Sequence, residues 1–136
     1  MARILSIDYG LKRTGLAVTD PLKIIATGLT TVETPKLVQY LKEYFSREDV
    51  EQVIIGMPLN WDESETHATP HVQKFIASFK RIFPSIPLVE VDERGSSKLA
   101  TKSMRDMGMK KKKRQNKALV DEIAATILLQ EYLERS

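Results

Sequence analysis

The chain contains no cysteine. Disulfides, thiolate catalysis and cysteine-based zinc sites are therefore excluded, and a reducing, cytoplasmic setting suits such a composition. Imidazole is nearly as scarce, with His67 and His71 the only histidines. Their i, i+4 spacing could chelate a metal on a helix, but Pro70 lies between them and no HExxH-type context surrounds them. No window approaches the roughly 18 to 20 uncharged apolar residues of a membrane span. No membrane partner is expected, and Met1-Ala2-Arg3 leads straight into a strand, so no signal peptide is expected either. Repeats and long linkers are also missing. The 136 residues fit one domain, 1–136, with a hydrophobic core. The net charge is only +3. Its informative part is an unbroken basic run, Lys110 to Arg114.

What is present begins with Ile4-Leu5-Ser6-Ile7-Asp8-Tyr9-Gly10-Leu11-Lys12-Arg13-Thr14-Gly15-Leu16-Ala17-Val18. It reads as two apolar strands, 3–8 and 14–20, joined by a turn containing Gly and Lys. Ile24 to Val32 is a third, antiparallel strand. Thr34-Pro35 opens a helix, with Thr as N-cap and Pro at its first position. Leu37, Val38, Leu41, Tyr44 and Phe45 give that helix one apolar face. Gln52 to Ile55 is a buried strand stopped by Gly56-Met57-Pro58-Leu59-Asn60. An irregular segment around Trp61 follows, reading either as a solvated loop or as one that contacts substrate. Thr69-Pro70 repeats the cap signal before a helix carrying Val72, Phe75, Ile76 and Phe79. Leu88 to Val91 is a fifth strand running into Asp92-Glu93-Arg94. Ser96 or Ser97 can cap a helix that Gly108 ends, and Asn116 can cap a last helix from Lys117 to Leu133. This order predicts an α/β fold: a mixed five-stranded sheet, antiparallel over its first three strands and then parallel, flanked by helices.

Three acidic positions stand out. Asp8 follows Ile4, Leu5 and Ile7 at a strand end, where a carboxylate needs a partner. The bland reading is a turn cap that accepts backbone N–H bonds. Asp92 and Glu93 end a strand expected to run parallel to the first, and carboxyl ends of parallel strands share the side where ligands bind. In the last helix Val120, Ile123, Ala124, Ile127 and Leu128 mark a buried face. At about 100° per residue, Asp121 falls nearly in line with Ala125 and Leu128. An acid near a helix start can be no more than a response to the macrodipole. An inward-facing one, however, must find a cation or a polar partner. Three converging carboxylates repel unless a cation neutralises them, and Mg²⁺ or Mn²⁺ is the natural guest of an all-oxygen set. Two such ions roughly 3.5–4 Å apart activate water and stabilise a leaving oxygen in phosphodiester hydrolysis. Spacing does not choose between Asp92 and Glu93.

Asp8-Tyr9-Gly10-x-Lys12-Arg13-x-Gly15-x-Ala17, Gly56-Met57-Pro58-Leu59-Asn60, Asp92-Glu93-Arg94 and Asp121-Glu122-Ile123-Ala124-Ala125 stand in the order of the YqgF/RuvX family. Across almost its whole length the chain resembles that family. The resemblance implies an RNase H-like fold and a metal-dependent nuclease. Such nucleases are described both as Holliday junction resolvases and as the enzyme maturing the 5′ end of 16S ribosomal RNA, a step in ribosome biogenesis. It also implies site roles: Asp8 as the strand-one acid, Asp92-Glu93 as the second acidic motif with Glu93 the favoured ligand, and Asp121 as the helix acid. The chain departs from the family pattern at Gly95, where Leu is usual, and at Asp62-Glu63, where Asp-Gly is usual. Those differences bear on loop geometry and substrate fit more than on the metal site.

Lys12 and Arg13 flank Asp8 in the turn and can hold a phosphate, as can Arg94 by bidentate contact. The plainer alternative is that they balance nearby carboxylates. Lys110, Lys111, Lys112, Lys113 and Arg114 would be a solvated loop in most proteins, but beside a metal site they can track a phosphate backbone. The expectation is thus an endonuclease on structured nucleic acid, with Mg²⁺ or Mn²⁺, acting as monomer or homodimer. Precursor rRNA ranks ahead of branched DNA. A non-catalytic RNA-binding factor of ribosome assembly is the rival from another class. Asp-x-Gly-x-x-x-x-Gly also resembles the phosphate loop of actin-like ATPases, but that fold needs a second similar domain and this chain is too short for one.

Overall fold

Arg3–Asp8 (β1) and Arg13–Thr19 (β2) form an antiparallel hairpin in which Leu5 faces Val18 and Asp8 faces Gly15. The computed structural model describes residues 2–57, 69–92 and 117–135. Gly10 shapes the hairpin turn, because a Cβ there would lie 2.2 Å from the Arg13 carbonyl oxygen. Ala26–Glu33 (β3) extends β2 antiparallel on its outer side. Val50–Met57 (β4) and Leu88–Asp92 (β5) then add parallel strands beyond β1. The sheet order is β3-β2-β1-β4-β5. Three helices accompany it among the described residues: Leu37–Arg47 (α1), Thr69–Ile82 (α2) and Lys117–Arg135 (α3). This is the mixed five-stranded sheet that the order of apolar runs predicts, and it agrees with the RNase H-like fold that the family resemblance implies.

Strand alternation sorts the core into two layers. Leu5, Ile7, Leu16, Val18, Val53 and Ile55 face α1 and α2, which contribute Leu37, Leu41, Val72, Phe75 and Phe79. Phe83 locks these two helices together, with its ring 5.0 Å from Phe45 and 4.9 Å from Phe79. The opposite layer joins Ile4, Ala17, Ile54 and Val91 to Ala125, Leu128 and Leu129 of α3. Each layer uses every second strand residue, so a one-residue slip would exchange the two sets and put side chains fitted to one layer into the other.

Three local expectations change. Thr34 does not cap α1. Residues Thr34–Lys36 form a 3₁₀ turn, and α1 starts after it at Leu37 without a side-chain cap. The Thr34 hydroxyl instead donates to the Gly10 carbonyl at 2.6 Å, which leaves the Thr14 hydroxyl to donate to it at 3.0 Å. A bond from its backbone N–H to the Lys12 carbonyl completes this latch on the β1–β2 turn.

Second, β3 begins at Ala26 rather than Ile24. The Asp20 carboxylate accepts N–H bonds from Leu22, Ile24 and Ile25 at 3.1, 2.8 and 2.8 Å. That closes a tight turn, places Lys23 at φ 60°, and leaves Leu22, Ile24 and Ile25 exposed. Third, the buried stripe of α3 is Ala124, Ala125, Leu128 and Leu129, while Ile123 and Ile127 are only half-buried. Two adjacent alanines let the helix turn its small side toward the sheet, which rotates the seam away from the expected isoleucines.

Candidate nucleic-acid and metal site

Asp8 is the last residue of β1 and is half-buried. It lies on the α3 face, because Ile4 of the same strand packs against α3 and alternate residues share a face. The strand register builds a row Asp8–Gly15–Thr31 and, beneath it, a row Ser6–Ala17–Gly28. Small residues therefore line the floor under α3. Gly28 has a specific reason to be glycine: a Cβ there would meet the Glu122 carboxylate oxygen at 2.5 Å and its Cγ at 2.9 Å. The Ser6 hydroxyl lies buried on this floor and has no hydrogen-bond partner among the described residues.

The direction of α3 follows from its contacts. Its C-terminal half lies over the amino ends of β1 and β4, where the Gln130 side-chain oxygen accepts from the Ala26 N–H at 3.4 Å. Two residues on, the Tyr132 hydroxyl donates to the Gln52 amide oxygen at 3.3 Å. Glu122 stands over Gly28, nearer the other end. The helix thus runs antiparallel to β1. From residue 130 back to residue 121 is about 13 Å at ~1.5 Å per helical residue. From Ile4 to Asp8 along the strand is also about 13 Å at ~3.3 Å per residue. Position 121 therefore comes to the end of the sheet where Asp8 lies, on the same face and on the stripe of Ala125 and Leu128.

The remaining expected residues divide by location. Asp92 closes β5 at the same carboxyl edge as Asp8, its register partner being Met57 of β4. The side chains of Asp92 and Asp121 lie outside the described residues, as do Glu93, Arg94 and the run Lys110, Lys111, Lys112, Lys113 and Arg114 in full. The expected helix ending at Gly108 and the segment around Trp61 also lie outside them. Lys12 is exposed in the turn after Asp8, and Arg13, half-buried, starts β2. With Gly15 and Ala17 on the α3 face, alternation puts Arg13 on the Asp8 side of the sheet. The side chains described in full form no group of three His, Asp or Glu able to hold an ion. Thr14 and Thr34, which hold the turn carrying Lys12 and Arg13, escaped the sequence reading. The signal was present, but Thr34-Pro35 also satisfies the pattern of a helix cap.

A model of the RuvX family, described as a Holliday junction resolvase, matches residues 2–135. The chain belongs to the RuvX (YqgF) family. A relative from Christiangramia forsetii, named "Putative pre-16S rRNA nuclease", is 56% identical over 133 residues, covering 98% of each chain. Relatives of the same name from Flavobacterium psychrophilum and Porphyromonas gingivalis are 52% and 50% identical, covering 99% and 98% of this chain and 98% and 97% of their own. Among solved structures the fold is similar to Thermus thermophilus RuvC in complex with a Holliday junction substrate. That match has a TM-score of 0.58 at 17% identity and covers 99% of this chain and 96% of that one. Its identity is low enough that it speaks for the RNase H-like fold alone. Among the described residues no helix is long and apolar enough to cross a membrane.

Proposed function

We propose that this chain is a metal-dependent endonuclease of the cytoplasm that processes the 5′ end of pre-16S rRNA. The observation that carries the proposal is the antiparallel course of α3, which brings position 121 to the Asp8 end of β1 on the same face of the sheet. The names of the relatives, at 50–56% identity over nearly the whole chain, support the RNA substrate.

In this reading Asp8, Glu93 and Asp121 hold Mg²⁺ or Mn²⁺, with Asp92 as the alternative to Glu93. An all-carboxylate set fits hard divalent cations. When bound, such ions supply an activated water and charge stabilisation at the leaving oxygen. The chain's own residues do the positioning. Lys12 and Arg13 sit on a turn fixed by Gly10, Thr14 and Thr34, beside Asp8, and can pin the phosphate through charge-assisted hydrogen bonds. Arg94 can make a bidentate contact, and Lys110 to Arg114 follow the backbone away from the cut. Branched DNA is the second substrate to test, because the family model is described as a Holliday junction resolvase.

The test is single-turnover cleavage of a labelled 16S precursor and a four-way DNA junction, side by side, with Mg²⁺, Mn²⁺ or chelator. Metal-dependent cutting of the precursor at its 5′ leader is expected. Asp8→Asn should keep fold and binding but lose orders of magnitude in rate. Wild-type cleavage by Asp8→Asn, or tight binding with no cleavage in any metal, would sink the mechanism and leave a binding factor of ribosome assembly.

A further inference from the structure

Tyr9 follows Asp8 in sequence and, by the alternation of β1, lies on the other side of the sheet, among the side chains packed against α1 and α2. There it lines a cavity of about 350 Å³ between the start of α1 and the first turns of α2. One wall is apolar and aromatic: Val38, Tyr9 and Phe75, the two rings 5.0 Å apart at 30°. The rim is polar, made by Thr34, Ser78, His71 and Lys74, of which the last two are exposed. Among the described residues that line it none is acidic. The volume and the mix of flat apolar wall with a few polar groups suit a small flat ligand, and the basic rim selects an anionic one. A nucleotide combines both features, a π-face for the aromatic wall and a phosphate for Lys74 and His71.

Resting on the nuclease reading above, we infer that this cavity receives one unpaired nucleotide of the substrate strand, next to the phosphate held at Asp8. The preferred substrate class is then nucleic acid with a bulged, looped or single-stranded nucleotide beside the cut, not a continuous duplex. Two features make the cavity a prepared one. Thr34, on its rim, is tied to the Gly10 carbonyl, so the cavity shares a wall with the turn carrying Lys12. Phe75 is buried and fixed in the core beneath Tyr9. Because Asp8 and Tyr9 are consecutive at the end of β1, the cavity and the Asp8 site adjoin the same edge of the sheet.

The test is fluorescence anisotropy in chelator with three labelled RNAs: one carrying a single unpaired nucleotide, one abasic at that position, and one fully paired. Stacking on an aromatic wall is worth about 1 kcal/mol or more, so the wild type should prefer the unpaired nucleotide over the abasic site by about fivefold or more. Ser78→Phe, which fills the cavity, should abolish that preference. The double variant His71→Ala/Lys74→Ala, at exposed positions that folding does not need, should reduce it at least as clearly as overall binding. Equal affinity of the wild type for unpaired and abasic RNA would overturn the inference. So would a preference that survives in the folded Ser78→Phe protein, or free AMP that binds the cavity without competing with the unpaired-nucleotide RNA. The assay reads binding without metal. A protein that never cleaves would therefore leave the inference standing, and a missing base preference would leave the nuclease reading standing.

Discussion

Ala125 is fully buried where α3 meets the sheet, in one cluster with Ile4, Ala17 and Ile54, and one helical turn after position 121. Ala125→Val adds two methyl groups at a contact that has no room for them. Overpacking of this kind costs about 1–3 kcal/mol, and part of the strain is relieved by moving the helix off the sheet. If Asp121 shares an ion with Asp8, that movement separates two ligands carried by different elements. A misplacement of about 1 Å can cost on the order of 100-fold in rate. Leu129→Ala is the matched control. It lies in the same seam, one turn further along, and should cost about 2–5 kcal/mol by opening a cavity, yet it exerts no outward push near position 121. The assay pairs urea unfolding with single-turnover cleavage in titrated Mn²⁺, well below the melting temperature of each protein. The expected pattern crosses over: Leu129→Ala loses more stability, whereas Ala125→Val loses more activity and needs more metal. Should Ala125→Val melt lower yet cleave at the wild-type rate with an unchanged metal requirement, α3 contributes no ligand.

Two further outcomes are expected. Asp20 has its carboxyl held below the usual value by the N–H groups of Ile25, Ile24 and Leu22, so its contribution to stability is present above the ordinary Asp range and fades as pH falls through the lowered value; urea midpoints of wild type and Asp20→Asn, compared between pH 6 and pH 2, should converge on the acid side, and parallel curves would refute the role of that carboxylate. Replacing Lys110 to Arg114 with Ser or Gln should weaken nucleic-acid binding and flatten its salt dependence by up to about 0.7–0.9 in log–log slope per lost phosphate contact, and an unchanged slope would return the run to a solvated loop.

The apolar runs of the chain were enough to find five strands and, of the four expected helices, the three that lie among the described residues, because burial with period 2 or 3.6 writes itself directly into residue spacing. Asp8 and Asp92 were likewise legible as acids that close the strands β1 and β5, where an acid after an apolar run needs a partner. The family resemblance was carried by motifs whose spacing survives in the chain. Other features depend on contacts between residues far apart in sequence, and no local pattern encodes them. Thr34 looks like a helix cap until the Gly10 carbonyl and Thr14 are brought to it. Ile24 and Ile25 look like strand until Asp20 claims their N–H groups. The seam of α3 was placed one position off, since the sheet floor of Ser6, Ala17 and Gly28 accepts two alanines more closely than it accepts Ile123 and Ile127. The cavity behind Tyr9 was equally invisible, because its walls come from a strand end and two helices separated by about thirty residues each. Sequence determined which side chains are driven inward; packing decided which of them meet.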